Sequence, residues 1–292
     1  MHLWLRRQCF CLPLACELRH SAAMCACQFR SNQLLCYLFC VVIGGGVFPV
    51  FGAEPKYEGK SLTAWLKLYQ QADADSANER QSAKAVCAIG TNALSQLVKW
   101  VASGDLDEES QANNGYQILG PAAEPAVPSL AKLLRSTNEV TSLMAGQCLG
   151  HIGAPALPAL MAGLTDPIYR VSTDAALSIV DLGTNAAPAI PIFIQQLGHP
   201  NHFYRERAAD ALGKLHIEPD TVVPALARLL QDNSQAARYL ALSGLENFES
   251  RARPVAPAIT VLLTDPEDGI RTAATNALLK IAPEMLTNAP AK

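Results

Sequence analysis

Apolar positions along this chain repeat at two periods, one that belongs to a helix and one that belongs to a stack of helices. In the stretch Asn201 to Pro257, the apolar anchors Leu215 and Phe248 are each followed nine residues later by a proline, Pro224 and Pro257. The same anchor recurs as Ile89, Leu119, Ile152, Leu182, Leu215, Phe248 and Ile281, at spacings of 30 or 33 residues. A fixed period of this length signals a solenoid. The next landmark is Ser95, Pro128, Pro158, Pro191, Pro224 or Pro257, and from each of these the following anchor lies 24 residues away. The length changes therefore fall between an anchor and its own landmark, where a turn is expected because turns absorb insertions and packed helices do not.

Around each anchor the residues follow a helical stripe. Seven before it stand Ser82, Ala112, Ala145, Ala175, Ala208, Ala241 and Ala274, and four before it Ala85, Gly115, Cys148, Ser178, Ala211, Gly244 and Ala277. Three before it stand Val86, Tyr116, Leu149, Ile179, Leu212, Leu245 and Leu278. Positions −7, −4, −3 and 0 share one helix face, and its small members let neighbouring helices approach. Gly90, Gly120, Gly153 and Gly183 directly follow the first four anchors and predict left-handed C-terminal caps. The landmark proline predicts the start of a second helix, whose face carries pairs such as Leu130 and Leu134 or Phe193 and Leu197. Each repeat is thus an antiparallel helix pair that buries its stripe only by stacking on its neighbours. The fold class is all-α, a right-handed α-α superhelix with no place for a sheet.

The chain divides into three parts on this reading. Residues 1–53 hold seven of the nine cysteines, four arginines, no lysine and a single acid, Glu17. The run from Leu34 to Ala53 is uncharged and broken by Gly44, Gly45, Gly46 and Pro49, as in the apolar region of a secretory signal. The stretch before it is long, and Met24 gives a more ordinary start. A run of this length also suits an uncleaved single-pass anchor. Export to the periplasm or cell envelope is expected either way. Residues 54–75 contain Leu62, Trp65, Leu66 and Tyr69 at helical spacing after Ser61, a suitable N-cap, and predict a helix covering the open end of the array. Residues 76–292 are the array, whose last repeat stops at Pro290 where a second helix would begin.

Charge and cysteine content narrow the function classes. The whole chain has 23 Lys and Arg against 26 Asp and Glu; without the leader, 19 basic and 25 acidic residues leave a net charge of −6. That balance opposes general nucleic-acid binding. Beyond the leader only Cys87 and Cys148 remain, two repeats apart and too distant to bridge.

The array resembles HEAT repeats, in particular the short bacterial kind also found in phycobilisome lyase subunits. In that family an aspartate closing one repeat and an arginine six residues on form a ladder along the turns. Asp232 with Arg238 and Asp265 with Arg271 match it, whereas Arg205 has His199 in the aspartate position and Asp166 has Ser172 in the arginine position. The leader followed by YEGKSLTAWL also resembles exported bacterial HEAT-repeat proteins of unassigned role.

Motifs for chemistry are sparse. The sequence has no nucleotide-binding glycine loop, nucleophile elbow or His-Glu-x-x-His. HEAT proteins that hydroxylate a modified lysine use His-Glu iron ligands, and no histidine here precedes a glutamate. His199 and His202, with Glu206 four residues later, could hold a metal, but Pro200 favours a turn, no further ligand is placed, and no metal or other cofactor is implied. The acidic run Asp105, Asp107, Glu108 and Glu109 lacks the calcium-loop glycine and glutamate and suits a helix N-terminus instead.

Four residues past each landmark stand Lys99, Lys132, Ala162, Gln195, Arg228 and Val261, with Arg135 three further on from Lys132. If second helices line the concave face, as the resemblance implies, Lys99, Lys132, Arg135, Gln195 and Arg228 form a stripe for an extended acidic segment. The expectation is a monomeric, non-catalytic scaffold for a protein or peptide partner. The alternative the resemblance brings is a lyase-like or enzyme-accessory protein.

Overall fold

A computed structural model describes residues 54–287. The leader, with its cleavage or anchoring, and Pro290 lie outside the described residues. Helix α1 (Leu62–Gln71) precedes seven first helices: α2 (Ala77–Ile89), α4 (Leu106–Leu119), α6 (Glu139–Ile152), α8 (Tyr169–Val180), α10 (His202–Leu215), α12 (Gln235–Asn247) and α14 (Asp268–Ile281). Between them run the shorter second helices α3 (Leu94–Val101), α5 (Val127–Leu133), α7 (Leu157–Leu164), α9 (Ile190–Gln196), α11 (Pro219–Arg228) and α13 (Ala256–Val261). A short helix, α15 (Glu284–Thr287), follows α14. The result is an α-α solenoid.

All seven anchors and all 21 seam residues at −7, −4 and −3 are buried. They form one continuous core with the second-helix residues Leu97, Leu130, Leu160, Phe193, Leu226 and Ile259. Each first helix is started by a side chain that satisfies its orphan amides. Ser76, Asp105, Asn138, Asn201 and Ser234 do so as N-caps, while Asp166 and Asp265 accept from the Ile168 and Glu267 amides.

The variable segment is not an open turn but a 3-10 helix. Gly90–Ala93 and Ala154–Ala156 span four and three residues, whereas Gly120–Ala126, Gly183–Ala189 and Glu249–Val255 span seven. A 3-10 helix has three residues per turn, so the difference between 30- and 33-residue spacings is about one added turn. That step leaves the second helix in register. The fifth repeat departs from the rule: α11 begins at Pro219, and Pro224 lies inside it rather than at its start.

The expected left-handed glycine caps are also revised. Gly90 has φ 58° and ψ −136°, and Gly153 has φ 82° and ψ −141°. That is mirror-extended backbone, open essentially to glycine alone, rather than the left-handed helical region. His216 replaces the glycine and does adopt the left-handed helical region, at φ 38° and ψ 37°, which a side chain tolerates better.

The N-terminal unit contains a small departure from all-α. Lys56–Tyr57 and Lys60–Ser61 pair as a two-residue antiparallel hairpin through Glu58 and Gly59, both at positive φ. Ser61 then caps α1, its Oγ accepting from the Ala64 amide at 3.2 Å. Trp65 fixes the hairpin on α1 by donating its indole N–H to Tyr57 O at 3.0 Å. Leu62, Trp65 and Leu66 are buried where α1 packs on α2 and α4.

Candidate functional site: the turn ladder and the second-helix face

Successive turns are tied by arginines that each reach two repeats. Arg205 donates from Nη1 to the carbonyls of His199 (2.8 Å) and Pro200 (3.0 Å) in its own turn. Its Nε and Nη2 grip both oxygens of Asp232 in the next turn, each at 2.7 Å. Arg238 repeats the arrangement, donating to Asp232 O at 2.9 Å and meeting the Asp265 carboxylate at 3.0 and 3.1 Å. The arginine six residues after an aspartate therefore binds that residue's carbonyl, and its carboxylate partner lies 27 residues further on. The Arg205 hydrogen bonds hold the Asp232 carboxyl below the usual carboxylate range despite opposing burial. Arg271, on the last first helix, turns to Asp268 and to the carbonyls of Asp265 and Pro266.

Toward the N-terminus serines replace the arginines. Ser142 Oγ lies 2.6 Å from Leu134 O and 2.7 Å from Asp174 Oδ2, and Ser172 Oγ donates to Leu164 O at 2.9 Å. A hydroxyl has one proton, so when Ser142 donates it to Leu134 O, the contact with Asp174 needs a proton on the carboxyl. Burial pushes that carboxyl in the required direction, up.

The sequence-derived stripe separates into two groups. Lys99 on α3, Lys132 on α5, Gln195 on α9 and Arg228 on α11 are all exposed at equivalent places near the ends of second helices, as are Ala162 and Val261. Among the described residues Lys99, Lys132 and Arg228 make no ion pair or side-chain hydrogen bond. Arg135 does not belong with them. It lies just past α5, and its guanidinium meets the buried Asp166 carboxylate at 2.5 Å, which makes it a rung of the ladder. Beside Gln195 the turns at 165–167 and 198–200 enclose a groove of about 430 Å³, lined in part by Pro167, Ile192, His199 and Tyr204. Tyr204 stacks edge-on against Tyr169 at 5.1 Å, and the half-exposed Phe203 lies 5.7 Å from the same Tyr169 ring. The sequence reading missed this aromatic cluster; its signal was three aromatics at the first turns of adjacent first helices.

The histidines are occupied otherwise. His199 Nδ1 accepts from the Asn201 amide at 3.1 Å and its ring lies 4.2 Å from Tyr204, while His202 Nδ1 sits 2.8 Å from Glu206 Oε1. Glu206 also accepts from Ser234 Oγ at 2.6 Å, joining α10 to α12. Among the described residues no three acidic, histidine or cysteine groups converge as metal ligands. His151 is half-buried with Nε2 3.0 Å from Asn113 Oδ1, and burial lowers its pKa to about 4. Cys148 is fully buried, and Cys87 directs its thiol toward Ile118 O at 3.9 Å.

Known proteins resemble this chain in sequence and in fold. The family model for HEAT repeats matches residues 127–213 and 190–279, together just over half of the 292-residue chain. No curated protein matches it. Similar solved structures include the complex of CpcE and CpcF of phycocyanin lyase from Nostoc sp. PCC7120, at 20% identity and TM-score 0.46, covering 52% of this chain and 98% of that one. Computationally designed armadillo repeat proteins for modular peptide recognition match at 19% identity and TM-score 0.44, covering 64% and 99%. An engineered protein matches at 19% identity and TM-score 0.42, covering 75% and 95%. With its stacked helix pairs, its small-residue seam and its family match, the chain belongs to the HEAT-repeat family.

Proposed function

We propose that this protein is a non-catalytic, exported scaffold that binds an extended acidic segment of a partner protein along its second-helix face. One observation carries the reading. Lys99, Lys132 and Arg228 stand exposed and unpaired at equivalent places on α3, α5 and α11, while Arg135, Arg205 and Arg238 are all engaged in the turns. Solvated cations repeated along a solenoid suit a ligand that is itself extended, because each helix pair can present one contact to each short stretch of it. Gln195 adds an amide to the row and opens onto the groove beside Tyr204, where an apolar side chain of the same segment fits. The uncharged run in the leader supports export.

The triple reversal Lys99→Glu, Lys132→Glu and Arg228→Glu tests this. Exposed charges contribute little one at a time, but three reversed together are expected to weaken capture of the partner at least about tenfold, with wild-type capture falling as salt rises. Affinity purification from the native envelope, followed by mass spectrometry, reads the result. Undiminished capture by the triple variant would remove this face from consideration.

A further inference from the structure

The residue ten before each anchor sets how a first helix seats on the end of the preceding second helix. Ser142 and Ser172 hold this place in the third and fourth repeats and donate to carbonyls eight residues back, Leu134 O and Leu164 O. Arg205, Arg238 and Arg271 hold it in the next three and donate to carbonyls six residues back, at 2.8, 2.9 and 2.7 Å. All five are donors, as the partly negative carbonyl end of a helix requires. The first two repeats carry glutamates here: Glu79, half-buried, accepts from the Asp75 amide on a helix that no second helix precedes, and Glu109 holds the place behind α3.

Glu109 is 2% exposed, and both of its carboxyl oxygens are buried without a hydrogen-bond partner. The carbonyl eight residues back is that of Val101, which ends α3. Across the joint, the place that Asp174 takes opposite Ser142 is taken in the next first helix by Met144, which has no donor to offer. The amide end of α4 favours negative charge, but Asp105 already uses it, accepting from the Asp107 and Glu108 amides at 3.0 Å. Of the cations on the helices packed around it, Lys67 of α1, Arg80 and Lys84 of α2 and Lys99 of α3 make no ion pair with Glu109 among the described residues. Its own helix adds Asp105, Asp107, Glu108 and Tyr116; α1 adds Tyr69, α2 adds Glu79 and the Cys87 thiol, and α6 adds Glu139, His151 and the Cys148 thiol.

We propose that Glu109 is a proton-sensitive joint between α3 and α4. When protonated, its carboxyl donates to the carbonyl end of α3 as Ser142 and Ser172 do in later repeats. When ionised, it faces those carbonyls with like charge and loosens the end of the helix that carries Lys99. Burial, and then the field of Asp105, push the carboxyl above its ordinary value of 4.5. The folded joint therefore holds the proton more tightly than the unfolded chain. Its stabilisation is complete below pH 4.5 and is lost as pH rises through the raised folded value.

The joint is independent of what binds the second-helix face, and its test needs no partner. In the full chain, amide exchange over residues 101–110, corrected for intrinsic rates, is expected to quicken roughly tenfold between about pH 4.5 and 7.5, as the joint opens more often once its proton is gone. Glu109→Gln keeps the shape and supplies a permanent donor, so it should abolish that rise. A side-chain carbon NMR titration of wild-type Glu109 reads the same joint without any substitution and should give a midpoint above 4.5. A midpoint at or below 4.5, or a rise that persists in Glu109→Gln, would overturn the proposal.

Discussion

Replacing Gly213 by valine is expected to destabilise the array by about 3 kcal/mol, through overpacking that no side chain can relieve. A Cβ at this position would lie 2.6 Å from the Cα of Gly244 on the next first helix. The atoms that Cβ would meet, Gly244 Cα, N and C, all belong to backbone, so α10 and α12 must move apart, and their separation would spread to the seam residues Ala208, Ala211, Ala241 and Leu245. Gly244→Ala should cost less. Its Cβ would meet Leu226 Cδ1 at 3.0 Å, the far end of a side chain that can turn, and Gly213 Cα only at 3.2 Å. Gly269→Ala is the control, because nothing lies within 4 Å of its Cβ and alanine is the better helix former. Urea unfolding of the three variants should rank them in that order, with Gly269→Ala at or above wild type. Equal losses for Gly213→Val and Gly269→Ala would deny the close crossing.

Asp232→Ala is expected to cost about as much, roughly 3 kcal/mol, because it leaves a largely buried guanidinium without its carboxylate. The Arg205 and Asp232 side chains are only 16% and 12% exposed, so solvent screens the pair weakly. The substitution also removes the acceptor of the Ser234 amide, 2.8 Å from Oδ1 at the start of α12. Asp232→Asn keeps an acceptor there while removing the charge and should lose less. The pH dependence follows from the lowered folded pKa: the pair's contribution is present above the unfolded value of 3.8 and is lost as pH falls through the folded value. Arg271→Ala, by contrast, should change stability by less than about 1 kcal/mol, since its partner Asp268 is 90% exposed. Calorimetric melting of the three variants at neutral and acidic pH measures all of this. A loss for Asp232→Ala no larger than that for Arg271→Ala would contradict the ladder's energetic role.

These two sites mark how far the sequence could be read. Gly244 was legible because it falls on the stripe at four before an anchor, where helical periodicity alone places it inside. Gly213 was not, because it lies two before its anchor, off the stripe, and is buried only by the crossing of α10 over α12. Periodicity describes one helix and knows nothing of its neighbour. The ladder divides the same way. Aspartate and arginine six apart were visible, but the carboxylate each arginine grips lies 27 residues on, a relation set by the rise of the stack. Arg135 joined the stripe by spacing alone, and its pairing with Asp166, 31 residues on, is a relation that spacing within one helix does not reveal. The added 3-10 turns were read as plain turns, since proline, glycine and alanine mark a break in α-helix without saying what replaces it. Glu109 read as one of several acids at a helix start, which Asp105, Asp107 and Glu108 are; its burial came from the packing of the surrounding helices.

The second helices, and not the first, are the face on which the partner is proposed to lie. Ala162 sits in the middle of that row on α7, exposed and too small to contribute binding of its own. Gln147, exposed on α6 of the same repeat, presents the first-helix face instead. A photo-crosslinking residue placed at each position in turn, with illumination in the native envelope, reports directly which face the partner covers. Covalent capture from position 162 and not from position 147 is the predicted result. Capture from position 147 instead, or equally from both, would contradict it.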